Sequence, residues 1–572
     1  MIRSSVRRTG SLAAGVLLAG LLAPLALSAP ALADASGGVP GVARGDGSQL
    51  SLGYAFGCAI VTDGSVRCWG ENTDGQLAQG NTTHIGDNPG EATVRVDLGA
   101  GRTAVAVTAG SSHACAILDT GQVRCWGSND TGQLGQGNTN DIGDSPGETT
   151  VAVDLGPGRT AVAVDAGVAH TCAILDTGQV RCWGYNSAGQ LGQGNTNDIG
   201  DNSGETTVLI DLGLGRTATA ISAGGSTTCV ILDTGNLSCW GLNDQGQLLQ
   251  GNTNNIGDNP GETTVVVDLG LGQTATAVSL GRRHVCAIRS DGQLRCWGSS
   301  SDGQLGLGRT TPFGDGPGEV TGGQVALPAG RTAVSVAAGD YHTCTVLDSG
   351  ELRCWGYNQY GELGQGNMAT YGNDPGESTL GVSIDAPVRS VVGGAYFTCA
   401  VTGTGLRCWG ADDYGDLAQG SLSIYGTNPG EVPSALPPVN LGGQQVGRDL
   451  DRDGVRDAAD ACPTVPGTLP NGCPVAAAPE AVLKGKKVVL DTVLAKKKPS
   501  AKCPAKAKVV VKTKSKQGRV KVTKQLKTKT VAGGCLVKGK VRLPAKPKKT
   551  AKVKVTVSGA KLKTKHLSAV RA

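Results

Sequence analysis

The sequence predicts an all-β protein. It comprises a seven-bladed β-propeller of four-stranded blades, a short calcium-binding loop segment and a small, lysine-rich C-terminal β-sandwich. Three observations support this prediction. A unit of about 57 residues recurs, each copy contains short β-type runs separated by Gly, Asn, Asp and Pro, and no helical period interrupts them. Each copy also carries one tryptophan inside Cys-Trp-Gly: Trp69, Trp126, Trp183, Trp240, Trp297, Trp355 and Trp409.

Composition and charge divide the chain into two bodies. The hydrophobic fraction of 39% is too small for a multi-span membrane protein, and the 90 glycines among 572 residues follow no collagen period. Every lysine of the chain lies at or after Lys484, so residues 480–572 carry a net charge of about +27 against about −22 for the rest. The predicted segments are a signal peptide (1–33), a linker (34–44), the propeller (45–445), the calcium loop (446–475) and a basic β-sandwich-like domain (476–572).

The N-terminus has the pattern of a secretory signal peptide. Arg3, Arg7 and Arg8 form a positive region, an apolar stretch follows over 12–27, and Ala31-Leu32-Ala33 matches the cleavage site. No other stretch approaches the roughly 20 apolar residues that a spanning helix needs. We therefore expect a protein that is secreted or associated with the cell surface, without a membrane span.

A hairpin inside each unit can be tested by its register. Pairing Leu118 with Gln122 leaves the three-residue loop 119–121, in which Gly121 takes the left-handed position. The same register places Cys115 opposite Cys125. In the seventh copy the two cysteines are one residue closer, yet a two-residue loop keeps them opposite each other, which indicates that the sulfurs are bonded.

The cysteines occur as nine close pairs, which is typical of an oxidising compartment. Zinc is the alternative, but the C-x2-4-C spacing of structural zinc sites is absent from the sequence. The expected disulfides are Cys58–Cys68, Cys115–Cys125, Cys172–Cys182, Cys229–Cys239, Cys286–Cys296, Cys344–Cys354, Cys399–Cys408, Cys462–Cys473 and Cys503–Cys535.

The repeat resembles the regulator-of-chromosome-condensation repeat family over roughly residues 45–442. The matching motif consists of Gly110, His113, the run Trp126-Gly-Ser-Asn129 and the run Gly132-Gln-Leu-Gly-Gln-Gly137. The resemblance extends to the secreted bacterial, alpha-tubulin suppressor-like propellers of that family. It implies a propeller that binds protein through one face of the disc, whereas the exchange activity of the nuclear founder belongs inside cells.

The histidine of this motif is interpreted as a packing residue between blades. Phenylalanine or threonine replaces it in some copies, as expected of a buried packing position. The position is occupied by Phe56, His113, His170, Thr227, His284, His342 and Phe397. The tryptophans are interpreted in the same way, as fillers of the gap between neighbouring blades.

An acidic loop follows most copies of Gln-Gly-Asn and supplies a candidate binding face. Repeat symmetry would place these loops on one face of the disc, where they could bind basic partners or divalent cations. The alternative is ordinary turn formation with solvated charges. The candidate residues are Asp141, Asp144, Glu148, Asp198, Asp201 and Glu205.

The segment after Val446 matches the spacing of a calcium loop, with oxygen ligands at alternate positions and Gly454 at the bend. It resembles a thrombospondin type-3 repeat, including the Cys-Pro that follows. The resemblance implies calcium as the cofactor, with Asp457 binding directly or through water. The implied ligands are Asp449, Asp451, Asp453, Val455, Asp457 and Asp460.

The basic C-terminal segment alternates apolar and charged residues with the period of a strand, which predicts a small β-sandwich. Its lysines could attach the protein to an anionic cell-envelope polymer or dock against the acidic propeller. Nucleic acid is disfavoured as a partner because the segment has no aromatic residues to stack on bases.

The sequence thus predicts an exported, non-enzymatic binding scaffold, with an unknown protein or an anionic envelope polymer as its partner, and we expect a monomer. A secreted hydrolase or lyase with a site on the propeller face is the alternative. No Ser/His/Asp or Cys/His set stands out against the repeat. Arg282, Arg283 and His284 form one place where a copy departs from it, either an anion site or a variable loop.

Overall fold

The structure is a computed structural model that describes residues 49–443, 445–446 and seven strands between residues 481 and 571. For those seven strands the backbone pairing is described. The signal peptide, the linker and the calcium loop after Val446 lie outside the described residues, as do both cysteines of the predicted Cys462–Cys473 bond and Cys503 of the predicted Cys503–Cys535 bond. None of the helices in the described part has the length and apolar character needed to cross a membrane.

Residues 49–446 form seven small antiparallel sheets, one for each repeat. The first four contain β1 (Leu50–Leu52), β2 (Phe56–Ile60) and β3 (Val66–Gly70); β4 (Ala104–Ala109), β5 (His113–Leu118) and β6 (Val123–Gly127); β7 (Ala161–Ala166), β8 (His170–Leu175) and β9 (Val180–Gly184); β10 (Ala218–Gly224), β11 (Thr227–Leu232), β12 (Leu237–Gly241) and β13 (Val266–Val267). The last three contain β14 (Ala275–Leu280), β15 (His284–Arg289) and β16 (Leu294–Gly298); β17 (Ala333–Ala338), β18 (His342–Leu347) and β19 (Leu352–Gly356); β20 (Val388–Gly393), β21 (Phe397–Thr402) and β22 (Gly405–Gly410).

The hairpin register agrees with the sequence prediction. Cys115 pairs with Cys125, the backbone nitrogen of Leu118 donates to the carbonyl of Gln122 at 2.8 Å, and Gly121 has a φ of 77°. A left-handed glycine closes this loop without the steric cost that a side chain would add. The disulfides Cys58–Cys68, Cys115–Cys125, Cys172–Cys182, Cys229–Cys239, Cys286–Cys296, Cys344–Cys354 and Cys399–Cys408 are all formed.

The prediction of four strands in every sheet is wrong for six of the seven. Among the described residues, a fourth strand is present only as β13 in the fourth sheet. Elsewhere the outer run contacts the sheet through isolated bonds or a single bridge, such as the bond from the Val153 nitrogen to the Val123 carbonyl at 2.9 Å. The guanidinium of Arg181, on the third strand of the next sheet, binds the Leu155 carbonyl at the end of this outer run, so a side chain of the neighbouring blade also holds the run in place.

One-turn 3-10 helices precede most of these outer runs. Each of the first five begins with a glutamate that follows a left-handed glycine, as at Gly147, whose φ is 86°. The helices span Glu91–Thr93, Glu148–Thr150, Glu205–Thr207, Glu262–Thr264, Glu377–Thr379 and Pro433–Ala435.

Neighbouring sheets pack side by side, and the last sheet returns to the first. The first strands of adjacent sheets contact one another, including β1 with β20, so these strands lie innermost. Val446 pairs with Val61 of the first repeat, and the Thr62 nitrogen donates to the Gln445 carbonyl at 3.1 Å. Both ends of the repeat region therefore meet at the first blade, which closes the ring.

The core lies between sheets rather than within them. In one cluster, Ile117 and Val123 of the second repeat pack with Leu175 and Trp183 of the third. All seven tryptophans are fully buried. Burial of such large rings between blades stabilises small sheets that could not cover enough apolar area alone.

The C-terminal strands form one closed barrel, not the predicted β-sandwich. The strands are β23 (Ala481–Lys484), β24 (Lys487–Ala495), β25 (Lys506–Ser515), β26 (Gly518–Val531), β27 (Gly534–Arg542), β28 (Pro547–Thr556) and β29 (Lys565–Arg571). They pair in the order β23-β24-β27-β26-β25-β28-β29. Parallel pairing of Val482 with Val570 joins the first strand to the last, and closure removes the open edges that a sandwich would leave.

Candidate functional site

A hydrogen-bonded network links each blade, meaning one sheet with its following loop, to the next. The Trp183 indole nitrogen donates to the Gln133 carbonyl at 3.0 Å. The Thr171 hydroxyl donates to the same carbonyl at 3.0 Å and lies 2.9 Å from Nε2 of His113. Because the threonine proton is committed to the carbonyl, Nε2 of His113 must be the donor to the hydroxyl.

These histidines are structural. Burial lowers the pKa of His113 to about 4 and that of His170 to about 3, and both residues are at most 1% exposed. His284 and His342 make the same contact with Thr343 and Thr398, each at 2.8 Å. A neutral, enclosed imidazole holds two blades together but does not reach a substrate, in agreement with the interpretation drawn from the sequence.

The six candidate loop carboxylates mainly hold their own loops. Asp141 accepts a hydrogen bond from the backbone nitrogen of Asn129 at 2.8 Å, and Asp198 does the same with Asn186 at 2.8 Å. Asp144 is exposed. The structure therefore gives Asp141 and Asp198 a turn-forming role.

The glutamates of these loops also bind backbone amides. Glu148 Oε2 accepts from the nitrogens of Gly143 and Ser145, at 2.9 and 3.0 Å. Burial raises the pKa of Glu205, but the amides of its own loop outweigh this effect and hold the pKa below its usual value. Burial and the nearby Glu205 raise the pKa of Asp201. Among the described residues, no three or more His, Cys, Asp or Glu side chains form a group suited to a metal ion.

A cluster of five tyrosines is the most distinctive surface feature. We define the tyrosine cluster as Tyr54, Tyr341, Tyr357, Tyr360 and Tyr396. The Tyr396 ring lies 5.4 to 6.0 Å from each of the other four ring centroids, stacked on Tyr341 and nearly perpendicular to Tyr54. Burial and the neighbouring phenols raise the pKa of Tyr396, so its hydroxyl stays protonated and can donate a hydrogen bond.

The cluster lies beside the ring axis. Tyr54, Tyr341 and Tyr396 occupy the turns that join the innermost strand of a sheet to its second strand. Backbone hydrogen bonds connect these turns in neighbouring blades, such as the bond from the Asp340 nitrogen to the Gly394 carbonyl at 3.1 Å. Tyr54 is 40% exposed, and the other four are half-buried. We call the side of the ring that carries these turns and the loops after each Cys-Trp-Gly the loop face.

Two ion pairs involve consecutive arginines of the fifth blade, and the one formed by Arg282 borders the cluster through Tyr341 and Tyr396. Arg282 Nη1 lies 3.3 Å from Asp340 Oδ2, and Arg283 Nη1 lies 2.8 Å from Asp244 Oδ2. The two arginines are the departure found in the sequence, whereas His284 is buried behind them. Both guanidiniums already pair with carboxylates, so an anion at either arginine would have to compete with an ion pair.

Sequence reasoning missed the tyrosine cluster, although a signal was present. Tyr54, Tyr341 and Tyr396 all fall in the two variable residues of the Gly-x-x-His turn, in the first, sixth and seventh repeats. Those repeats are consecutive only after the ring has closed. The three tyrosines can be seen to lie together only when the ring is known to bring the seventh repeat next to the first.

Comparisons with known proteins agree on the fold. The model of the regulator of chromosome condensation (RCC1) repeat matches residues 48–76, 104–133, 161–190, 218–247, 275–304 and 333–362, and a second RCC1 repeat model matches 63–117, 120–174 and 291–346. The ultraviolet-B receptor UVR8 of Arabidopsis thaliana is 38% identical over 90 residues, which is 15% of this chain and 19% of the receptor. The match thus spans about a fifth of that relative.

Two solved structures of the yeast protein Prp20 share the architecture. Yeast RCC1 (Prp20) bound to Kap60 has a TM-score of 0.51 at 18% identity, covering 72% of this chain and 90% of that one. Prp20p from Saccharomyces cerevisiae has a TM-score of 0.50 at 19% identity, covering 69% and 88%. At this identity the likeness concerns the fold.

Proposed function

Because this chain belongs to the RCC1 repeat family, we propose that it is a non-enzymatic scaffold that binds a protein partner through the tyrosine cluster on its loop face. The observation that carries the proposal is the convergence of five of the nine tyrosines of the chain at one surface site. The repeated buried residues explain the ring, but the cluster draws its residues from three of the seven blades, so the repeat does not account for it.

The chemistry of the cluster suits protein recognition. Tyrosine offers a large apolar ring at a low cost in side-chain entropy, with a hydroxyl that bonds the partner at the rim. Tyrosine and arginine are enriched at the residues that dominate binding energies. The Arg282–Asp340 pair lies at the edge of the cluster, where a polar rim would surround an aromatic centre.

The fold is compatible with such a role. Yeast RCC1 (Prp20), whose propeller resembles this one, was solved bound to Kap60, so that relative binds a protein. We further propose that the chain is exported, because its N-terminus has a signal-peptide pattern and its seven described disulfides favour an oxidising compartment. In this proposal the lysine-rich C-terminal segment associates with an anionic envelope polymer.

Binding of a partner can be tested with paired variants. Tyr341→Ser with Tyr396→Ser removes two rings from the cluster. Tyr185→Ser is the matched control, because Tyr185 follows Trp183-Gly just as Tyr357 follows Trp355-Gly, and it is 37% exposed in another blade. The full chain would be used to capture proteins from cells that produce it, followed by measurement of the affinity for the captured partner.

The expected result is a partner that binds the wild type and the control alike and binds the double variant at least about tenfold more weakly, a loss typical of interface residues that carry most of the affinity. Equal affinity of all three proteins would contradict the proposal. Circular dichroism and thermal unfolding of each variant would show that the ring remains folded.

A further inference from the structure

Two buried polar positions recur in the loop after each Cys-Trp-Gly, and the seventh blade departs from the others at both. The first position is Asn in five blades and Ser in one, and the second is Gln in five blades and Glu in one. In the seventh blade both positions are aspartate. The pairs are Asn72/Gln76, Asn129/Gln133, Asn186/Gln190, Asn243/Gln247, Ser300/Gln304, Asn358/Glu362 and Asp412/Asp416.

In the second blade the side-chain amide at the first position both accepts and donates hydrogen bonds with the surrounding backbone. Asn129 Oδ1 accepts from the Leu134 nitrogen at 2.9 Å, and Nδ2 donates to the carbonyls of Asn138 and Asn140, at 2.8 and 3.0 Å. A carboxylate has acceptors alone, so an ionised aspartate at this position cannot reproduce both roles.

The seventh blade shows the consequence. Asp412 and Asp416 are 1% and 3% exposed. Asp412 Oδ1 accepts from the Leu417 nitrogen at 3.0 Å, whereas Asp412 Oδ2 and Asp416 Oδ1 find no hydrogen-bond partner among the residues that the structure describes. Unpaired charge is costly to bury, and a proton on each group would restore a donor.

Both groups lie at the seam where the ring closes. The backbone carbonyl of Asp416 accepts the indole hydrogen bond of Trp69 at 2.9 Å. The Gly420 nitrogen donates to the Gly86 carbonyl at 3.0 Å, and the His84 ring meets the Tyr414 ring edge-on at 5.0 Å. The last blade thus holds the first through residues next to the two carboxyls.

The surrounding charges favour the neutral forms. Burial raises the pKa of Asp412 to about 7 and outweighs the backbone hydrogen bonds of Leu417 and Ser423, which lower it, while Asp413 and Asp87 add to the increase. Burial raises the pKa of Asp416 to about 9, with Asp412, Asp413 and Glu71 adding to it. His84 is the basic side chain that the first blade contributes to this seam.

We propose that the seam between the seventh and first blades is a proton-dependent latch, closed when Asp412 and Asp416 are protonated and loosened when they ionise. The direction of this pH dependence follows from the linkage between proton binding and folding. A carboxyl whose pKa is raised in the folded state stabilises the fold below its unfolded pKa, near 3.8, and that stabilisation is lost as the pH rises through about 7 and then about 9. Loosening therefore accompanies a shift from mildly acidic to alkaline conditions.

The test compares the full chain with the double variant Asp412→Asn, Asp416→Asn, which places amides where other blades have them. Asp130→Asn, at an exposed loop position of the second blade, is the matched control for a change in charge. Hydrogen exchange at residues 84–91 and 412–420 would be measured from pH 5 to 9 and corrected for intrinsic exchange, together with the unfolding temperature.

The expected result is that seam opening in the wild type and the control becomes more frequent with rising pH, by at most about tenfold per pH unit for each linked proton, while the double variant stays nearly flat. The same pH dependence in all three proteins would overturn the latch. Millimolar calcium that protects the wild type but not the double variant would also overturn it, because the carboxyls would then be cation ligands.

Discussion

The indole nitrogen of Trp69 donates a hydrogen bond to the backbone carbonyl of Asp416 at 2.9 Å, across 347 positions of the chain. The same bond joins every pair of neighbouring blades, for example Trp183 to Gln133 at 3.0 Å. One contact therefore serves both as the repeated connection within the ring and as its closure. Each blade needs one such bond to its neighbour, which explains why a tryptophan recurs in every repeat.

Removing one of these indole donors should destabilise the ring. In Trp183→Phe the aromatic ring still fills most of the gap, but the Gln133 carbonyl loses one of its two buried donors and keeps the Thr171 hydroxyl. We expect the free energy of unfolding to fall by about 0.5–1.5 kcal/mol for the lost hydrogen bond, measured by chemical denaturation. Tyr185→Phe, at an exposed site two residues away, is the control and should leave it unchanged. Equal stability of both variants would contradict the role of the indole bond.

Deleting one disulfide should cost stability without changing the fold. Replacing Cys115 and Cys125 by alanine removes a crosslink between residues 10 positions apart, for which the chain-entropy account gives about 2–3 kcal/mol. Denaturation under non-reducing conditions measures the loss. Peptide mapping of the wild type should find Cys115 joined to Cys125, and a free thiol at either position would show the pairing to be wrong.

The buried histidines should make the protein sensitive to acid. Burial depresses the pKa of His113 to about 4, so its contribution is present above its unfolded pKa, near 6.5, and is lost as the pH falls from there towards 4. In His113→Phe, which copies the residue of the first and seventh blades, the unfolding temperature should fall less steeply between pH 6.5 and 4. An unchanged slope would argue against a buried neutral imidazole.

Residues 449–460 are predicted to form a calcium loop. Full-length protein should bind Ca²⁺ with a dissociation constant on the order of 10⁻⁴ to 10⁻³ M, measured by calorimetry. Asp453→Asn removes one predicted carboxylate ligand and should weaken binding, whereas Asp144→Asn, in an exposed propeller loop, should not. Calcium binding that is insensitive to Asp453→Asn would place the ion elsewhere.

Local features of the repeat are accessible from the sequence because they depend on neighbours in the chain. The loop closed by Gly121 and the pairing of Cys115 with Cys125 follow from turn geometry and strand alternation. The substitution pattern of the histidine position also indicates a packing role. The fourth strand is overpredicted, because an apolar run does not reveal how few backbone hydrogen bonds join it to its sheet, as with the bond from the Val153 nitrogen to the Val123 carbonyl.

Features that depend on closure of the ring required the fold. Tyr54 and Tyr396 are far apart in sequence but 5.9 Å apart between ring centroids, and Asp416 meets Trp69 only because the seventh blade returns to the first. The cost of burying the two seam aspartates could not be judged from residue type, since an aspartate in a loop is ordinarily solvated. The repeats can be recognised from the order of the residues alone. The burial of the two aspartates and the meeting of the tyrosines depend on which distant segments the closed ring brings into contact.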